Sequence, residues 1–210
     1  SITWQQLVDA YIVQMSALIA GGVDLLLIET VFDGLNAKAA LYAAQQAMQR
    51  TRVNLPIMLS VTLTESGRTL SGQTLEAFIA SVSHVPLFSI GLNCGFGADG
   101  MIPHIEALQN VPMAVSVYPN AGLPNEMGEY DETPGMMYSK IKPLIKNRKV
   151  NIIGGCCGTT PAHINLIAGT AFSHPPRVVP HQEPRLTLAG LKAMTITDDS
   201  LFVNVGERCN

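Results

Sequence analysis

Five short runs of apolar residues, each ending in a polar or glycine-rich turn, alternate along this chain with segments of helical periodicity. Residues 24–30, 57–63, 87–94, 113–118 and 150–155 are near-continuous in Leu, Ile, Val, Met and Ala, the pattern of a strand covered on both faces of a parallel sheet. Residues 4–20, 37–50, 75–83, 101–109, 134–147 and 161–171 read as helices, the first of them ended by Gly21 and Gly22. A strand–helix repeat of roughly 30 residues is a βαβ unit, and its crossover returns the chain parallel to the strand it left. The predicted class is therefore α/β. In such a sheet the turns that follow the strands gather at one end, the carboxyl end, where ligands bind. Here those turns are Glu29-Thr30, residues 62–65, Asn93-Cys94-Gly95, Pro119-Asn120-Ala121-Gly122 and residues 154–158.

A length of 210 residues is enough for one full core. The formal charge is −3, with 13 Lys and Arg against 16 Asp and Glu, and there is no long basic run, so recognition of nucleic acid by charge is excluded. No apolar stretch approaches the roughly 18 residues needed to span a bilayer, so no membrane partner is expected. Charged residues make up only 14%, against roughly 25% in ordinary soluble domains. Either the surface is glycine-rich, or other parts of a larger protein cover it. Cys94, Cys156, Cys157 and Cys209 include an adjacent pair, which closes no useful loop as a disulfide; a reduced, cytoplasmic setting is the expectation. From Ser173 the texture changes, with Pro175, Pro176, Pro180 and Pro184 in close succession, so residues 173–200 read as a linker or clasp and residues 201–210 as the start of a further unit.

Cys94 closes one predicted strand, and Cys156 with Cys157 closes another, so three sulfurs are expected at one rim. Neighbouring residues of a regular strand point to opposite faces; two adjacent cysteines reach one ion only where the backbone leaves strand geometry, a freedom that Gly154, Gly155 and Gly158 supply. Three thiolates with an open fourth position are a zinc arrangement suited to catalysis, and soft sulfur selects zinc over magnesium or calcium. Three thiolates neutralise the ion and leave the site formally −1. Such a centre is a poor source of hydroxide but a good host for an incoming thiol, held as thiolate near neutral pH. The plainer alternative is that these cysteines are small apolar residues packing a turn. For Glu29, a carboxylate at a strand's carboxyl end suits a substrate ammonium equally well as it suits an N-cap for the next helix.

Asn93-Cys94-Gly95 and the run from Gly154 to Pro161 resemble the zinc motifs of the homocysteine methyltransferase family. The segments 24–30, 67–72 and 118–124 are similar to that family's other rim segments, in the same order, over about residues 1–172. The resemblance implies a (β/α)8 TIM barrel, incomplete here, with these strands corresponding to about the fourth to the eighth. It implies Zn²⁺ on Cys94, Cys156 and Cys157, homocysteine as substrate, Glu29 on the substrate ammonium, and Asn120 orienting the substrate or filling the metal's free position. The loop from Gly67 to Gly72 would cover the amino acid, unless it is simply a surface turn. His104, His163 and His174 lie in or beyond helices and read as surface or structural residues.

The tail from Phe202 to Asn210 is similar to the opening strand of the pterin-binding barrel that follows in cobalamin-dependent members. Methylcobalamin and 5-methyltetrahydrofolate are then the implied methyl donors, carried by pterin-binding and cobalamin-binding domains, with Arg208 and Asn210 toward the folate and Cys209 passive. A cobalamin-independent homocysteine S-methyltransferase and a non-catalytic zinc-binding module are the rival readings. Without the first three strands the sheet presents an unpaired edge, so this polypeptide alone is expected to be marginally stable and weakly active or inactive.

Overall fold

A computed structural model describes residues 2–206. Four helices open on side-chain caps legible in the chain. For α1 (Trp4–Ala20) Thr3 and Gln6 form a reciprocal capping box; Asp33, Thr74 and Thr133 cap α2 (Gly34–Thr51), α3 (Leu75–Val82) and α5 (Pro134–Lys146). Between them run β1 (Leu26–Val31), β2 (Ile57–Val61), β3 (Ser89–Gly97), α4 (Ala98–Ile105), β4 (Ala114–Asn120) and β5 (Ile152–Ile153), and α6 (Pro161–Ala171) closes the series.

All strand pairings in this sheet are parallel, and the strand order is β1-β2-β3-β4-β5. An order that follows the chain without reversal has no topological switch point, which separates it from doubly wound sheets and agrees with part of a TIM-barrel-like fold. The sheet does not close among the described residues. The two faces differ sharply. Leu59, Val61, Ile90, Leu92, Val115 and Val117 form the main core with Ala-rich α2 and its neighbours, where Ala37, Ala40, Ala44 and Ala47 are fully buried. In register on the opposite face lie Ser60, Gly91 and Ser116, small residues on adjoining strands. A Cβ at Gly91 would stand 1.9 Å from the Ser116 carbonyl oxygen, so only glycine fits there.

Residues 173–200, expected as a linker or clasp, lie against the sheet-and-helix body. Arg177 is buried, and its guanidinium donates to the carbonyls of Gln109, Val111 and Met113 at 2.6, 2.8 and 3.0 Å. Beyond it, β6 (Thr187–Ala189) and β7 (Ala193–Thr195) form an antiparallel hairpin. Its tip grips the loop before α3: Thr74 N–H donates to Leu191 O at 2.9 Å and Gln73 Nε2 to Gly190 O at 3.0 Å. Residues 201–206 belong to no strand, and Glu207, Arg208, Cys209 and Asn210 lie outside the described residues. Among the described residues no helix is long and apolar enough to cross a membrane.

Candidate metal centre

The three cysteines of the sequence motifs converge. Cys94 Sγ is 3.7 Å from Cys157 Sγ, Cys156 Sγ is 3.9 Å from Cys157 Sγ, and the three ligand atoms lie within 4.8 Å of one another. All three are free thiols, Cys157 exposed and the other two half-buried.

The backbone leaves strand geometry at both cysteine turns. Cys94 has φ 56° and Gly95 φ 70°, a left-handed step that swings the sulfur off the strand's alternation. A side chain at Gly95 would meet the Leu63 carbonyl at 2.7 Å. The second turn begins two residues earlier than the strand pattern suggested, because β5 stops at Ile153. From there the chain is stapled to the end of β4: Cys156 N–H donates to Pro119 O at 2.8 Å, Cys157 N–H to Asn120 Oδ1 at 3.1 Å, and Ala121 N–H to Cys157 O at 2.9 Å. Thr159 closes the turn on Cys156 O through both its N–H and its hydroxyl. Gly158, at φ 76°, lies so close to Tyr130 that a Cβ there would stand 2.4 Å from the ring.

The geometry suits a soft cation. Thiolates about 2.3 Å from a tetrahedral zinc ion stand about 3.8 Å from each other. The Cys94–Cys157 and Cys156–Cys157 separations, 3.7 and 3.9 Å, bracket that value. Burial pushes the Cys156 thiol up to about 11; the Asn93 amide opposes this, while Cys94 and Cys157 add to it. Each thiolate formed makes the next harder to form, and a divalent cation among them inverts that relation. Desolvation, then Cys157, raises the Tyr130 phenol in the same way, with smaller contributions from Cys94 and Cys156. Among the described residues no His, Asp or Glu joins the sulfur group, and the Tyr130 hydroxyl lies beside Cys157.

Glu29 is exposed on β1, which ends at the same rim. The N-cap of the following helix is Asp33, which accepts from Asn36 N–H at 3.3 Å, so the capping role considered for Glu29 is already filled. Desolvation raises the Tyr118 phenol; the Ser116 hydroxyl opposes this and the Glu29 carboxylate adds to it. Asn120 is buried with its oxygen committed to the Cys157 N–H.

The histidines occupy structural positions. His163 is buried, its Nδ1 facing Thr160 N–H at 3.1 Å and its Nε2 facing Glu132 O at 2.9 Å; the first is an obligate donor and the second an acceptor, which fixes the neutral Nε2–H tautomer. His104 stacks near Phe96 beneath Gly67, and His174 turns back onto Thr170 O. Two residues near the sulfurs were not anticipated. Tyr130 sits in an irregular loop whose sequence carries no signal of it. Asn93 stands beside Cys94 in the motif, but nothing in its position along the chain announces the contacts it makes.

A parallel α/β chain with three convergent thiols on its carboxyl rim carries a donor set that could hold a soft metal ion. Residues 1–171 match the homocysteine S-methyltransferase family, and the chain belongs to that family, whose members are methyltransferases. Among solved structures it is similar to the apo form of the homocysteine methyltransferase MmuM from Escherichia coli, with 24% identity and a TM-score of 0.57. The match covers 78% of this chain and 57% of that one, so the chain spans little more than half the length of that relative. At that identity the likeness speaks for the fold.

Proposed function

We propose that this chain binds homocysteine and presents its sulfur as a thiolate for methyl transfer, as the homocysteine-binding part of a cobalamin-dependent methionine synthase. The observation that carries the reading is the three-sulfur cluster, spaced for one tetrahedral ion, in a chain of the homocysteine S-methyltransferase family. Cys94, Cys156 and Cys157 would hold the zinc. The chemistry the ion supplies when bound is to lower the pKa of an incoming thiol into the neutral range.

The remaining roles belong to the chain. Glu29, exposed at the end of β1, takes the substrate ammonium by a charge-assisted hydrogen bond. Asn120 fixes the turn that presents Cys156 and Cys157 and orients the substrate from the adjoining rim. The loop 67–72, followed by Gln73 and Thr74 that the hairpin tip holds, covers the amino acid. Support for the cobalamin-dependent type comes from the tail 202–210 and its similarity to the start of a pterin-binding barrel. Methylcobalamin and 5-methyltetrahydrofolate would come with those further domains, and no residue of this chain is assigned to either. A cytoplasmic setting fits the free thiols.

Metal analysis followed by titration with homocysteine tests the reading. One zinc per chain and about one proton released per homocysteine bound are expected. Retention of zinc with no proton release on adding homocysteine would mark a non-catalytic zinc module instead.

A further inference from the structure

Asn93, the residue before left-handed Cys94, is fully buried. Its Oδ1 accepts from the backbone N–H of Thr30 at 3.1 Å and from the Ser60 hydroxyl at 2.7 Å. Its Nδ2 donates to Thr30 Oγ1 at 2.8 Å and approaches Cys156 Sγ at 3.8 Å. The backbone N–H of Thr30 can only donate, so the amide has one admissible orientation: oxygen toward Thr30 N–H and Ser60, NH₂ toward the Thr30 hydroxyl and the thiol. The Asn93 carbonyl is also engaged, accepting from Thr62 Oγ1 at 2.9 Å. One buried residue thus joins β1, β2, β3 and the turn after β5.

What it holds on β1 is unusual. Thr30 has φ 58°, a left-handed conformation that a β-branched residue adopts only when its surroundings impose it. The β1–β2 register shifts at the same place, between Ile28 and Val31. Glu29 immediately precedes the kink, so the direction of its carboxylate depends on it. The other end of the Asn93 amide meets one of the three sulfurs. A single planar amide therefore spans the two places where a molecule with both a thiol and an ammonium would be gripped.

We infer that Asn93 is a positioning residue, whose side-chain amide locks the Thr30 kink beneath Glu29 and the Cys156 sulfur into one fixed arrangement. It touches neither substrate nor metal; it sets the separation between the group that takes the ammonium and the cluster that takes the sulfur. The inference rests on the homocysteine reading above and adds a residue to it.

Two variants of the intact protein test it. Asn93→Asp keeps the shape and the acceptor for Thr30 N–H and Ser60, but turns a carboxylate oxygen toward Cys156. Ser60→Ala removes one bond that steadies the amide and leaves both ends in place. Three quantities are read: zinc affinity by chelator competition, the thiolate-to-metal absorption of the cobalt(II)-loaded protein, and the Kd for homocysteine against that for a plain alkanethiol lacking the ammonium. For Asn93→Asp a loss of zinc affinity of about tenfold or more, with a shifted absorption band, is expected. For Ser60→Ala the metal stoichiometry stays at one, while the preference for homocysteine over the alkanethiol falls several-fold. Should Asn93→Asp fail to fold, the Ser60→Ala comparison decides alone. Unchanged affinity and absorption in the first variant, or an unchanged preference in the second, overturns the assignment. Failure of the wild-type protein to bind metal overturns the homocysteine reading itself, and this inference with it.

Discussion

At the scale of single residues, the three cysteines differ in what they demand of their surroundings. Cys156, half-buried like Cys94, has its thiol pushed up to about 11, so near neutral pH it is protonated, and an ion must expel that proton in order to bind. Zinc affinity is therefore expected to rise with pH, and calorimetric titration in two buffers of different ionisation enthalpy should report protons released on metal uptake. Replacing Cys156 by Ser removes a soft donor. Under the proposed methionine synthase reading, this substitution in the full-length protein is expected to abolish zinc binding and methionine formation while leaving methyl transfer from folate to cobalamin largely intact; loss of both half-reactions together would contradict that proposal. Gly158 is equally constrained without being a ligand. At φ 76°, with Tyr130 2.4 Å from any added Cβ, Gly158→Ala should displace the turn and cost most of the metal affinity, measured by chelator competition. These residues were legible because their chemistry is local: cysteines and glycines at strand ends announce a turn and a donor set. Asn93 was not, because its partners Thr30 and Ser60 lie 63 and 33 residues away and meet it only when β1, β2 and β3 align.

At the scale of elements, ends written into the chain were read well and ends set by tertiary contact were not. The bounds of α1 and α6 follow from the Thr3–Gln6 box and from Pro161 at the first turn. Helix α2 starts at Gly34, earlier than its apolar pattern, because Asp33 caps it. Strand β5 shrinks to Ile152–Ile153; beyond it the chain stays tied to β4 through Gly154 N–H to Val117 O and Cys156 N–H to Pro119 O, but Cys157 N–H goes to the Asn120 side chain as the backbone turns. The hairpin β6–β7 has three residues per strand, too few for a period to show. Arg177 is the element-scale surprise, a cation buried under three backbone carbonyls of the connection between α4 and β4. Burial lowers its pKa, and its charge is met by carbonyl dipoles with no carboxylate among these partners. Arg177→Ala leaves those acceptors without donors and should lower unfolding stability by about 3 kcal/mol, measured by denaturant titration.

For the whole molecule, the small charged fraction and the open sheet raise the same question of what covers the surface. Strand β1 has a partner only on its β2 side among the described residues. Its alternation buries Leu26 and Ile28 against the helices and leaves Leu25 and Leu27 exposed at 36% and 40%. These two leucines line a cavity of about 390 Å³ with Tyr11, Leu18 and Glu29, along the strand's open edge. An edge of this kind offers unpaired N–H and C=O groups beside apolar side chains, and no lysine or proline blunts it. Burying the exposed part of two leucines is worth roughly 1–2 kcal/mol per partner, and each added ladder hydrogen bond roughly 1 kcal/mol more, enough to drive association of concentrated chains. The 210-residue chain by itself is accordingly expected to self-associate as concentration rises in sedimentation velocity. Leu27→Lys places a charge on that edge without touching the helix-facing core, and should return the chain toward monomer with its circular dichroism and zinc stoichiometry unchanged. A chain that stays monomeric at every concentration and unfolds cooperatively would show that β1 is adequately protected as it stands.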